Sequence, residues 1–196
     1  TTDELVGLAA SLNDNPPARE MDRLLSTGEQ VSMTLLAMAI EARGYKAMSF
    51  TGRQAGIETD GMHAKAKIVK VHNERIMEAL NKGVIAVVAG FQGIDANGDI
   101  TTLGRGGSDT TAVALAAFLH ADLCRIYTDV DGVYDRDPRL HPDAVKYGRI
   151  SYDDMLLLAR GGARVLHDRC VELARREHVV LEVCSAFSDA PGTIVG

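Results

Sequence analysis

Cysteine is scarce in this chain of 196 residues, and Cys124, Cys170 and Cys184 stand far apart in mostly apolar surroundings. An odd, scattered set excludes a disulfide frame and reads as reduced packing residues. None has the electropositive neighbourhood that makes a reactive thiolate. Metal spacings are missing as well. The six histidines form no His-Glu-Xaa-Xaa-His, and no paired Cys-Xaa-Xaa-Cys occurs, so no protein-held metal is expected. Two acidic runs fail as calcium loops. Asp129-Val130-Asp131-Gly132 has Val133 at the fifth loop position, and Asp95-Ala96-Asn97-Gly98-Asp99 has Ile100 where the sixth-position glycine belongs. No apolar run approaches the roughly 20 residues that span a bilayer, so no membrane partner is expected. The opening Thr1-Thr2-Asp3-Glu4 has neither part of a signal peptide, and a cytoplasmic location is the expectation. A net charge of -6 without a basic tail argues against nucleic acid as the main partner.

What remains is an ordinary globular composition, 46% apolar and 24% charged, enough to bury a core. Short β-branched runs alternate with longer helical patterns, the signature of βα units and a largely parallel sheet. Helices are expected over Asp3–Leu12, Glu29–Arg43 ending at Gly44, Asn73–Lys82 stopped by Gly83, Thr110–Leu119, Ser151–Ala159 with a Ser-Xaa-Xaa-Asp cap, and Ala163–Arg176. Strands are expected over Lys46–Phe50, Lys67–Val71, a fully buried Val84–Ala89, Leu123–Thr128 and Val179–Val183. A loop rich in glycine and threonine follows Phe50, and Asn97-Gly98 marks a hairpin turn. With no linker, repeat or low-complexity stretch, one α/β domain over residues 1–196 is the economical reading.

The run Thr101-Thr102-Leu103-Gly104-Arg105-Gly106-Gly107-Ser108-Asp109-Thr110-Thr111-Ala112 carries the most chemistry. Glycines let backbone approach a ligand, and a helix start presents unpaired amides with partial positive charge, so the run suits an anion. A bland alternative makes Ser108 or Asp109 an N-cap after a glycine turn. That leaves Arg105 without a task, whereas its planar fork fits a carboxylate or phosphate. Three further segments are read as loops at strand ends or helix starts: Ser26-Thr27-Gly28-Glu29, Ala89-Gly90-Phe91-Gln92-Gly93, and Thr128 to Arg139. In a parallel sheet such loops gather on one edge.

Taken in order, these segments, together with Gln54-Ala55-Gly56-Ile57, Thr59-Asp60, Tyr127-Thr128-Asp129-Val130-Asp131-Gly132-Val133-Tyr134, Asp137-Pro138-Arg139, Ile150-Ser151-Tyr152 and Gly162-Ala163-Arg164-Val165-Leu166-His167, resemble the aspartokinase catalytic domain of the amino-acid kinase family. The likeness covers essentially the whole chain. It implies a three-layer α/β/α sandwich with a mostly parallel central sheet. It implies transfer of the ATP γ-phosphoryl group, with Mg2+, to the side-chain carboxylate of L-aspartate, the first step toward lysine, threonine and methionine. A carboxylate acceptor is already ionised near neutral pH, so the burden falls on orientation and charge neutralisation.

By the resemblance, Arg105 grips the substrate carboxylate, Ser108 helps position it and Glu29 lies near the substrate ammonium. Asp109 is assigned the orientation of cationic groups or loop amides in catalysis. Thr128, Asp129, Tyr134 and Arg139 match nucleotide-binding positions. Arg164 stands where the family usually has lysine near the phosphates, keeping the charge with a different reach. The complete protein is expected to be a homo-oligomer. The family also has a preceding strand with a Lys-Xaa-Gly-Gly-Ser type loop, and ACT repeats that follow. Neither lies in these 196 residues, so the chain alone is expected to show negligible turnover. The alternatives are a catalytically silent nucleotide-binding or assembly module and another amino-acid kinase.

Overall fold

The computed structural model describes residues 2–163 and 165–196. Two compact units divide the chain, Thr1–Thr111 and Ala112–Gly196. Among the described residues the strands β1 (Ala47–Phe50) and β4 (Ile85–Val88), β2 (Ile57–Thr59) and β5 (Gln92–Ile94), β7 (Cys124–Thr128) and β9 (Leu181–Ser185), and β8 (Arg149–Ile150) and β10 (Thr193–Val195) pair in parallel. β2 with β3 (Ile68–Val71), β5 with β6 (Ile100–Thr102), and β9 with β10 pair antiparallel.

The first unit opens with α1 (Thr2–Leu12), which has no buried residue, and α2 (Ala18–Glu41). α2 begins well before the expected Glu29. Pro17, with φ -58 and ψ 132, caps it, and Ala18 to Leu25 is rich in good helix formers. Ser26 to Glu29 is therefore not a loop but the middle of a long helix. Gly28 is tolerated inside it where α1 approaches: a side-chain Cβ there would stand 3.8 Å from Leu5 Cδ1. The helix ends before Gly44, whose φ is 85.

Asp22, Ser26, Met33 and Ala37 form the buried stripe of α2, and the helix packs on β1 (Ala47–Phe50), β4 (Ile85–Val88) and β6 (Ile100–Thr102). β1 and β4 run parallel, with Ala47 opposite Ile85 and Phe50 opposite Val88. β4 is not fully buried as expected. Met33, Ala37, Val87 and Ala89 cluster on one side of the pair, whereas Ile85 remains 43% exposed.

A second sheet has the order β3-β2-β5-β6, with β2 (Ile57–Thr59), β3 (Ile68–Val71) and β5 (Gln92–Ile94). β2 lies in the stretch read as a loop; three residues are too short to show a period. α3 (Glu74–Asn81) follows β3 and has Asn73 at its N-cap position. The Asn97-Gly98 turn closes the β5–β6 hairpin, with Asp95 accepting from the Asn97 and Asp99 amides.

α4 (Gly107–Phe118) starts in the first unit. The second unit holds β7 (Cys124–Thr128), β8 (Arg149–Ile150), α5 (Tyr152–Arg160), α6 (Asp168–Glu177), β9 (Leu181–Ser185) and β10 (Thr193–Val195). Its sheet has the order β7-β9-β10-β8. Met155, Val171, Leu181, Val183 and Val195 are fully buried in its core, each stabilising the fold by roughly 1.5–3 kcal/mol relative to exposure. Ser151 caps α5, its hydroxyl accepting from the Asp154 amide at 3.1 Å, as the cap pattern predicts. α6 begins five residues later than expected. Gly162, with φ 103, breaks the backbone, and His167 caps the helix in an extended conformation.

Candidate active site

Gly104 to Gly107 turn the chain from β6 into α4. Gly104 and Gly106 have φ of 72 and 68, the left-handed region that favours glycine. Space is also decisive. A Cβ at Gly104 would lie 2.8 Å from the Ala64 carbonyl oxygen, and one at Gly107 would lie 2.9 Å from both Leu103 Cβ and Phe91 Cδ2. The loop therefore sits directly on Ala64 and Phe91. Phe91 itself has φ 68, a conformation that a non-glycine residue keeps only when its surroundings enforce it. Its amide donates to Thr111 Oγ1 at 3.1 Å and its carbonyl accepts from the Leu103 amide at 2.9 Å.

Because α4 starts at Gly107, Ser108 and Asp109 lie in its first turn and neither is the cap that precedes it. The first helical bond runs from the Thr110 amide to the Gly106 carbonyl. Ser108 has no hydrogen-bond partner for its hydroxyl among the described residues. A cleft of about 290 Å³ opens here, bounded by the loop, Phe91, Ser108, Asp109 and Glu29 of α2. Glu29 stands in its wall without a described cation in ion-pair range, and burial pushes its carboxyl above the ordinary glutamate range. Arg105 is exposed and has no ion-pair partner among the described residues. One cleft thus offers a free guanidinium, a free carboxylate and a helix start, a receptor for a zwitterion that carries extra negative charge.

The second unit has its own cavity, about 720 Å³, at the carboxyl end of β7. Asp129, Tyr134, Asp137 and Arg139 line it from the loop, and Leu157 and Leu158 of α5 supply an apolar wall. Such a volume with a few polar groups on one side suits a small organic ligand. Thr128 does not line the cavity; its hydroxyl donates to Asp129 Oδ1 at 3.0 Å. Arg139 grips Asp137 with two bonds, 3.0 Å from Nε and 2.9 Å from Nη2, which hold the Asp137 carboxyl below its ordinary range. Arg164 lies outside the described residues.

The loop is held from behind by residues that motif reading passes over. Tyr134 donates to Asp131 at 2.9 Å, and Lys146 Nζ donates to Asp131 at 3.1 Å and to the Pro191 carbonyl at 2.6 Å. Burial acts against the Asp131 carboxylate, yet the bonds from Tyr134 and Lys146 outweigh it and hold its pKa low. The buried Thr193 hydroxyl accepts from the Val133 amide at 2.8 Å and donates to the Tyr147 carbonyl at 2.6 Å. Gly132 has no room for a side chain: a Cβ would lie 2.6 Å from Lys146 Cε and from Thr193 Oγ1. The sequence signal for the far wall is Gly162, Ala163 and Val165 of the motif after α5, with Gly161 before it. Among the described residues no group of three metal-ligating side chains comes together, and no helix is long and apolar enough to cross a membrane.

The profile of the amino acid kinase family matches residues 1–185. The chain belongs to the amino acid kinase family. Within that family, the aspartokinase of Bacillus sp. (strain MGA3) is 57% identical over 195 residues, covering 100% of this chain and 47% of that protein. Aspartate kinase from Synechocystis superposes with a TM-score of 0.85 at 52% identity, covering 99% of this chain and 32% of its own. E. coli aspartokinase III in complex with aspartate and ADP gives a TM-score of 0.87 at 32% identity, covering 98% and 44%. The chain spans about half the length of the curated relatives it matches. The mixed, parallel-rich α/β class expected of an amino acid kinase is the class these structures share.

Proposed function

We propose that this chain carries the acceptor and nucleotide subsites of an aspartate kinase, which phosphorylates the side-chain carboxylate of L-aspartate with ATP to give 4-phospho-L-aspartate and ADP. The observation that carries this reading is the pairing of Glu29 and Arg105 around the glycine loop. A substrate with an ammonium and a carboxylate finds an opposite charge for each in that cleft, Glu29 for the one and Arg105 for the other. Arg105 and the amides at the start of α4 take a carboxylate, the Ser108 hydroxyl orients it, and Glu29 takes the ammonium. Asp109, in the cleft wall, orients the cationic groups and amides around the acceptor.

Transfer forms a bond from an acceptor carboxylate oxygen to the γ-phosphorus and breaks the bond to the oxygen bridging the β- and γ-phosphates, which leaves with ADP. No proton has to be removed, since the acceptor is already a carboxylate. Both reactants are anions, so the work is to bring them in line and neutralise charge. On the nucleotide side, Tyr134 and Asp129 face the nucleoside part, the Leu157 and Leu158 wall covers the base, and Arg139 and Arg164 are assigned to the phosphates. When bound with the nucleotide, Mg2+ neutralises phosphate charge. The carboxylates lining the cavity fit water-mediated contact with such an ion better than a cage, because Asp137 is already committed to Arg139.

The test is calorimetric titration of the chain with L-aspartate, with succinate and with MgADP, beside an ADP-release assay with ATP and L-aspartate. Aspartate and MgADP are expected to bind, and succinate, which lacks the ammonium that Glu29 faces, at least about ten-fold more weakly than aspartate. Equal affinity for succinate and aspartate, or no binding of aspartate, refutes the acceptor assignment whatever the turnover.

A further inference from the structure

We infer that Asp22 is the positioning residue of the acceptor subsite, fixing the helix that carries Glu29 against the loop that carries Arg105. The inference rests on the acceptor reading above and names a residue that touches no substrate. Asp22 is 1% exposed, and a carboxylate so buried persists only when donors surround it. Its donors come from two other segments. The Ala64 amide lies 3.1 and 3.0 Å from its two oxygens, His63 Nδ1 lies 2.7 Å from Oδ2, and the Thr102 hydroxyl donates to Oδ1. Residues 63–64, the end of β6 and α2 are thus tied at one buried point.

The position of that point matters more than its strength. Asp22 and Glu29 are seven residues apart on α2, close to two full turns, so they share a face of the helix. Thr102 is three residues before Arg105, in the strand that feeds the glycine loop. A shift of α2 relative to β6 would change the span between ammonium receptor and carboxylate receptor, and the bond between Asp22 and Thr102 opposes that shift. Ala64 completes the arrangement. It has φ 64, unusual for a residue with a side chain, and its carbonyl oxygen is the atom that leaves Gly104 no room for a Cβ. By holding the Ala64 amide, Asp22 sets the surface on which Gly104 rests. An apolar residue at 22 would fill the space without fixing either direction, the circumstance in which a buried polar group confers a unique geometry.

Amide exchange, ligand titration and the thermal unfolding midpoint of the 196-residue chain test this. Amide hydrogen exchange of the ligand-free chain reads the loop directly. Titration with L-aspartate and, separately, MgADP reads the two subsites. In Asp22→Asn, exchange is expected to speed up at residues 63–66 and 103–108, and aspartate affinity to fall about ten-fold, the effect of losing one hydrogen bond to a charged group. MgADP affinity should not change. Thr102→Val should act in the same way, and Thr102→Ser, which restores the hydroxyl, should bind aspartate as the parent does. That pair carries the test if Asp22→Asn does not fold.

Unchanged exchange at 103–108 in Asp22→Asn or Thr102→Val overturns the inference. So does a parallel loss of aspartate and MgADP affinity with a lowered unfolding midpoint, which marks general destabilisation. If the parent chain takes no aspartate, the acceptor reading fails separately, and the exchange arm still decides whether Asp22 holds the loop.

Discussion

Replacing Gly104 by alanine probes the acceptor loop where its packing is tightest. Two costs combine there. A residue with a Cβ at φ 72 loses about 1–2 kcal/mol to left-handed strain, and forcing that Cβ to within 2.8 Å of the Ala64 carbonyl adds the about 1–3 kcal/mol typical of overpacking. Gly98→Ala separates the two. Gly98 has φ 83 and no atom within 4 Å of its missing Cβ, so it carries the strain of about 1–2 kcal/mol alone. Urea unfolding should place Gly104→Ala about 1–3 kcal/mol below Gly98→Ala. If the loop instead moves away from Ala64, the same energy appears as weakened aspartate binding, roughly five-fold to more than a hundred-fold at 1.4 kcal/mol per decade. Calorimetric titration of both variants beside the unfolding curves captures either route. Equal stability and equal aspartate affinity in the two variants would refute the claim that Ala64 seats the loop.

On the proposed reading, Glu29 makes aspartate binding depend on pH. Its folded pKa is raised, so as pH falls it protonates before an ordinary glutamate does, and the acceptor ammonium loses its partner. Aspartate affinity should weaken in that window, and Glu29→Gln should bind poorly at every pH without the inflection, read by titration across pH. The same raised pKa lends stability that is present below the unfolded pKa and lost as pH rises through the folded one. Near neutral pH, Glu29→Gln should therefore unfold no more easily than the parent. Lys146→Met removes the donor shared by Asp131 and Pro191; MgADP affinity should drop about ten-fold with aspartate affinity intact. Ser151→Ala removes the α5 cap and should cost about 1 kcal/mol of stability in a thermal melt, leaving aspartate affinity unchanged.

Much of this molecule is legible from local chemistry. The Asn97-Gly98 turn and the Ser151 cap depend on neighbours a few residues away, and motif reading locates both; it locates the glycine loop too, although Ala64 and Phe91, which seat that loop, lie far back in the chain. Boundaries set by distant contacts are not legible in that way. Ser26 to Glu29 looks like a turn because Gly28 interrupts the pattern, and the helix runs through it because the residues before it are strong helix formers and one face is buried at Asp22, Ser26, Met33 and Ala37. β2, β8 and β10 are two or three residues long, too short to show a period, and exist because partner strands complete them. The site divides similarly. Glu29, Arg105, Ser108 and Asp109 line one cleft, and Asp129, Tyr134 and Arg139 line another. Asp22, Lys146 and Thr193 belong to no motif, since their importance comes from bonds across 80, 45 and 60 positions of chain.

The bond from the Val133 amide to Thr193 also orders events in time. A ribosome adding roughly 5–20 residues per second delivers Thr193 some 3–12 s after Val133, across the 60 positions between them. Until then the strand that sits between β8 and β9 does not exist, and the polar loop after β7 has nothing behind it. The glycine loop waits for nothing comparable, because Asp22, Ala64, Phe91 and Thr102 have all emerged before it. During synthesis the cleft at the glycine loop matures first and the cavity after β7 last. On the proposed reading, a nascent chain stalled before residue 193 binds L-aspartate but not MgADP, which titration of a chain truncated before residue 193 would test.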